Sequence, residues 1–166
     1  MTNLQPFTKN LTPPAGLFAG VGESGQPEEP VIIVRTMIKT SDRRRVSELF
    51  TQILRANDKL KIASNAYTGL VEAGAADNEL DQSGSILDQL AADIEQLGDE
   101  ADSVYLSLIV GWNIADPYTL DRLPLPSERA GVKDDLAEPQ TKWLFEELRN
   151  LHKYEYTEGN GQRPTP

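Results

Sequence analysis

Val46, Leu49, Ile53, Ala56, Leu60, Ala63, Tyr67 and Leu70 follow one another at alternating spacings of three and four. That spacing lays all eight on one stripe of an α-helix and makes a heptad-like seam. No other feature limits the fold so strongly. The run reads as one helix over residues 43–73, widened at its start by Phe50 and Leu54, with Asn57-Asp58 as the place where it could break. Just ahead of it, Ser41 is placed to cap the helix by accepting a free backbone N–H. Arg43, Arg44 and Arg45 occupy the first turn, where the helix dipole favours acids. Local helix energetics does not account for them. They are therefore candidates for contact with an acidic partner surface, or for a clamp on an acidic loop of the same chain.

Residues 72–85, EAGAADNELDQSGS, read as a polar, glycine-broken loop. Ser85 and Asp88 form a capping-box-like pair that opens a second helix, burying Ile86, Leu87, Leu90, Ile94 and Leu97 and ending at Gly98. A third helix follows from Asp99, with Val104, Tyr105, Leu108, Ile109 and Trp112 as its apolar stripe. The last opens near Pro139, buries Trp143, Leu144, Leu148 and Leu151, and ends with Arg149, His152 and Lys153 at its negative pole. VIIVRTMI, residues 31–38, is the one strong strand candidate. Upstream, five prolines and four glycines within residues 1–30 exclude a helix or a central strand. That segment reads as an extended arm with Phe7, Leu11, Leu17 and Phe18 as possible anchors.

The expected fold is mainly α with a small β element (α+β). It comprises an extended Pro/Gly-rich arm over residues 1–30, a mostly helical domain with one strand and about four helices over 31–153, and a flexible tail over 154–166.

The net charge of −10 argues against a nucleic-acid backbone as partner, because that contact needs a basic face. Acids mixed with lysines and arginines also argue against a nucleic-acid mimic. The absence of cysteine removes disulfides, thiolate zinc sites and cysteine nucleophiles. No basic stretch followed by an apolar run is read in MTNLQPFTKNLTPP, and no window is apolar enough for a membrane span. His152 is the sole histidine, five residues from Glu147 and poorly placed to share a metal with it. GVGESG at residues 20–25 lacks the Lys-Ser/Thr ending of a phosphate loop. DNELD at 77–81 lacks the glycine and glutamate of a calcium loop. No catalytic constellation, cofactor site or small-molecule substrate site is readable.

VGWNIADPYTLDRLPLP, residues 110–126, puts a tryptophan where a helix gives way to prolines. Trp112, one turn past Leu108 and Ile109, is expected to close that helix end. Asn113 is expected to stop the helix in a left-handed conformation, and Pro117 to prevent its restart. Residues 116–119 read as a turn.

Val110, Trp112, Asn113, Ile114, Asp116, Leu123 and Pro124, with VIIVRTMIKTSDRRRV upstream, resemble a group of small acidic proteins of long-tailed bacteriophages. These are encoded beside the tail tube and tape measure genes and are similar to tail assembly chaperones. The resemblance spans residues 31–150 loosely and 110–126 more closely. It implies a non-enzymatic protein of the host cytoplasm that keeps the helices of a tape measure protein from aggregating, recruits tail tube subunits, and leaves the finished tail. A second reading is a permanent virion component, a connector, tail or capsid-associated protein, whose arm orders on neighbouring subunits. Either reading expects phage tail or virion proteins as partners and leaves a homo-oligomer open, with no nucleic acid, membrane or cofactor. The candidate partner-binding residues are Phe7, Leu17, Phe18, Arg43, Arg44, Arg45, Trp112 and Tyr118.

Overall fold

The computed structural model describes residues 7–160, and the side chains of residues 7–152. The chain divides into two units: Thr40–Ser103, and the segments on either side of it. The second unit is built on a three-stranded antiparallel sheet of order β1-β4-β5, formed by β1 (Thr8–Leu11), β4 (Ile32–Arg35) and β5 (Ile109–Trp112). A separate small ribbon pairs β2 (Gly20–Val21) with β3 (Pro27–Glu28). Because β4 and β5 are sheet neighbours, the whole of Thr40–Ser103 is an excursion between two adjacent strands.

β4 alternates as a strand with one buried face should: Ile32 and Val34 are fully buried while Arg35 is exposed. β5 departs from that period. Ile33 pairs with Gly111 and Val34 with Ile109, which leaves Val110 as an extra residue. This bulge lets Ile109 and Trp112, three apart, both enter the core. The expected helix through Trp112 therefore stops at Leu106, where β-branched Ile109 and Val110 find a partner strand in β4.

The expectation of one strand also fails upstream, where residues 8–28 of the supposed arm contribute three strands. Leu11 pairs with Ile32 and is buried, as is Phe18. Gly20 can lie against β3 only because it lacks a side chain: a Cβ there would sit 2.7 Å from the Glu28 carbonyl oxygen. The glycines of GVGESG serve this ribbon and its turn, where Gly25 takes φ +80.

A short 3-10 turn (Val132–Asp135) leads into α3 (Glu138–Asn160), so residues 154–160 of the expected tail are helical. One face of α3 buries Gln140, Leu144, Phe145, Leu148 and His152. Gln140 uses both ends of its amide. Its Oε1 accepts from the Ala137 N–H at the helix start, and its Nε2 donates to the Leu17 carbonyl at 2.8 Å. Beside it, Phe18 meets Trp143 edge to face at 5.6 Å.

The other unit is a helical hairpin of α1 (Thr40–Glu72) and α2 (Asp77–Leu106), whose last residues lie in the sheet unit. α1 runs unbroken through Asn57-Asp58, and it begins at Thr40 ahead of the expected Ser41 cap. The eight seam residues are its least exposed positions after its start, while Phe50 and Leu54 lie outside the seam and are exposed. α1 ends in a Schellman motif: Ala75 N–H reaches Leu70 O, Gly74 N–H reaches Val71 O, and Gly74 takes φ +66. The expected loop over 72–85 shrinks to residues 73–76. Glu79 reaches back toward the Ala76 N–H, and α2 then runs on past Ser85 and Gly98. Its own seam explains why. Leu80, Ser83, Leu87, Leu90, Ile94, Leu97, Ala101 and Val104 repeat the three-four spacing without interruption. Gly98 costs roughly 1 kcal/mol in a helix, less than the burial of the seam residues either side of it. Ile86, expected in the core, is off this stripe and 56% exposed.

Candidate functional site

The motif of residues 110–126 is a tie. Trp112 is 4% exposed, and its indole N–H is shared between the carbonyls of Leu123 at 3.1 Å and Pro124 at 3.2 Å. An aromatic ring thus fills the core while its one polar atom fixes the Leu-Pro pair. Arg122 closes the loop by donating to the Trp112 carbonyl at 2.9 Å. Asn113 is not in the left-handed conformation expected of a helix stop. It extends the strand and grips the chain before β4 on both sides. Its Oδ1 accepts from Val31 N–H at 2.7 Å, and its Nδ2 donates to Glu29 O at 2.9 Å. Its backbone carbonyl accepts from Val21 N–H at 2.7 Å, which ties in the ribbon. A side chain that resembles a cap in the sequence is a clasp between segments more than eighty residues apart.

Beyond the tie, Ile114 and Ala115 are buried and pair with Leu123, Ala19 and Arg122. Asp116 then builds the tip. Its Oδ1 accepts from the N–H of Tyr118 at 2.7 Å and of Thr119 at 3.0 Å, as the expected turn requires. Leu120 completes it with φ +63, and its N–H returns to the Asp116 carbonyl. The turn holds Tyr118, 82% exposed, and Leu120, 64% exposed, on a backbone fixed by three hydrogen bonds to Asp116.

The candidate contact residues therefore separate. Phe18 and Trp112 are core and present no ring to a partner, and Leu17 is half-buried. Tyr118 and Phe7 are exposed, Phe7 at φ +72 with its carbonyl accepting from Thr36 N–H. Arg43, Arg44 and Arg45 are exposed on α1. Arg45 clamps Glu100, an intramolecular contact made to the helix α2 and not to an acidic loop.

The sequence reading did not find the exposed apolar side chains of the hairpin outside its seam. They are Phe50 (40%), Leu54 (67%), Ile62 (69%), Val71 and Ile86. Ile62 and Ile86 come together across the hairpin with Ala63 and Leu90 between Lys59 and Gln89. The signal available was each helix's heptad register, which puts these residues off the seam.

Among the described residues, no three His, Asp or Glu side chains are grouped to hold a metal ion. His152 is buried beside Tyr105, its Nδ1 bonded to the Leu148 carbonyl at 2.7 Å. Among the described residues, no helix is long and apolar enough to cross a membrane. Comparison of the chain with family models, curated proteins and solved structures finds no match.

Proposed function

We propose that this chain is a non-catalytic assembly factor of a long-tailed phage, acting in the host cytoplasm as a chaperone or scaffold for tape measure and tail tube proteins. One observation carries the reading. A two-helix hairpin, held by a narrow seam, leaves Leu54, Ile62, Val71 and Ile86 uncovered on its outer faces. Uncovered apolar positions on regular helices suit the capture of another helix in a groove. The net charge of −10 favours solubility of such a complex. The resemblance at Val110, Trp112, Asn113, Asp116, Leu123 and Pro124 supplies the phage context.

The virion reading relied on a free arm ordering on a neighbour. Residues 8–28 make strand pairs within their own unit, and Leu11 and Phe18 are buried there. That weakens the virion reading relative to the chaperone.

Mass spectrometry of purified particles beside infected-cell lysate tests the choice. The chaperone reading expects the chain in lysate, retained on tape measure bait, and missing from particles. Stoichiometric copies in particles overturn it.

A further inference from the structure

The hairpin's two edges differ in chemistry. In an antiparallel pair, the positions beside one edge of each seam share a face, and those beside the other edge share the opposite face. The Arg45–Glu100 ion pair and the Ile62, Ile86 cluster mark one edge. On the other edge α2 places Gly84, Ala91 and Gly98 at seven-residue spacing. Next to them, also seven apart, stand Asp81, Asp88 and Glu95, all exposed. The facing flank of α1 carries Phe50 and Leu54, 40% and 67% exposed, and a single lysine, Lys61, one heptad beyond Leu54.

This face thus has an apolar wall, a floor of small residues and an acidic rail. A Cβ at Gly98 would meet no atom within 4 Å, so the floor is open to a close neighbour there, while at Gly84 it would touch the Tyr67 ring at 3.9 Å. The rail also lacks an internal counter-charge on its own helix: α2 carries nine acids and no Lys or Arg along its thirty residues. A second copy of the chain would meet this rail with the same excess of acid, since the hairpin's six basic residues stand against thirteen acids, four of them on α1 and nine on α2. Its charge therefore selects a cationic partner.

We infer that the face formed by Phe50, Leu54, Ala91, Gly98 and the Asp81, Asp88, Glu95 rail is the docking site for a cationic amphipathic helix of another protein. The partner lays its apolar stripe on Phe50 and Leu54 and its Lys or Arg flank along the rail. The inference deepens the proposed capture of helices, and rests on it, by naming the face used and the charge of the captured segment. The opposite edge, with Ile62 and Ile86, also carries the acids Glu79, Asp93 and Glu100, but there α1 supplies Arg45, Arg55 and Lys59, and Arg45 clamps Glu100.

The test uses the full chain and a fluorescent synthetic helix of about four heptads, long enough to be helical, with a Leu stripe flanked by Lys. The same peptide with Glu in place of Lys is the control. The Lys peptide should bind, and more weakly as salt rises. The combined substitution Asp81→Asn, Asp88→Asn, Glu95→Gln should weaken it about tenfold, and Leu54→Ser by a similar factor. Circular dichroism unchanged in the variants confirms that the hairpin is intact. Equal binding of the Glu peptide, indifference to both variants, or loss only on Ile62→Ser overturns the inference, as does concentration-dependent self-association that Leu54→Ser abolishes. A tape measure bait that fails while the Lys peptide still binds through the rail sinks the phage reading alone. Retention on the bait that ignores the rail and Leu54 sinks the docking face alone.

Discussion

The sheet unit and the helical hairpin have opposite constructions. Among the described residues, the buried apolar side chains belong almost wholly to the sheet unit, with Val46, Leu49 and Ala101 the hairpin's contribution, all near its open end. From there to the turn the hairpin's seam is half-buried at best. The sheet unit is held by an enclosed core and long-range clasps, each made once. The hairpin is held by a repeated contact of modest strength. A single substitution should therefore be felt very differently in the two.

The largest effect is expected at Trp112. Trp112→Ala leaves a cavity in the core and frees two carbonyls, and should lower stability by about 3–5 kcal/mol in denaturant unfolding. A loss under about 1 kcal/mol would mean that the tie is not what holds the sheet unit. Asn113→Ala comes next. It strands the part-buried Val31 N–H and leaves the exposed Glu29 carbonyl to water, each a bond of 2.9 Å or shorter, and should cost about 1–2 kcal/mol. Asn113→Asp keeps the acceptor and loses the donor, so it should fall between wild type and alanine. If aspartate is as harmful as alanine, the Glu29 bond dominates the clasp.

The contrast also explains what could be read beforehand. α1 was legible to within three residues at its start and one at its end because a seam repeats its message every turn or so, and Val46 to Leu70 state it eight times. α2 was legible only as two halves. Glycine at 98 and a capping pair at Ser85 are local signals, and the continuous partner seam overrules both. The sheet unit was legible only at VIIVRTMI. β1, β2 and β3 are two to four residues long and flanked by Pro and Gly, so they exist by virtue of their partners rather than their own propensities. At the candidate site, exposed Tyr118 and the Asp116 turn followed from local chemistry. The burial of Phe18 did not, because it depends on Trp143, distant in sequence, and Trp112 was legible as an apolar plug but not as a strand residue tied to Leu123 and Pro124 through a bulge.

Gly98→Ala separates the two constructions at a smaller magnitude. The added methyl meets nothing within 4 Å, so the change acts through backbone entropy and helix propensity. It should stabilise the hairpin by up to about 1 kcal/mol. Hydrogen exchange reads where the gain falls: slower exchange confined to α1 and α2 supports a hairpin that opens separately, whereas equal slowing in β4 and β5 shows that both regions unfold together. The same variant narrows the floor of the proposed docking face. A more stable chain that binds the Lys peptide less tightly would tie that face to Gly98 directly.

Leu120→Gly is the smallest change and the sharpest probe of the tip. Leu120 holds φ +63, a region that costs a side-chain-bearing residue roughly 1 kcal/mol, and its side chain is 64% exposed, so little packing opposes the loss. Glycine relieves the backbone but enlarges the unfolded chain's freedom, and the two effects nearly cancel. Stability should stay within about 0.5 kcal/mol of wild type. A gain near 1 kcal/mol would show that the leucine is kept at the expense of stability, which on an exposed, hydrogen-bonded turn beside Tyr118 points to a contact made outside the chain. A loss of that size would instead make Leu120 part of what holds the turn.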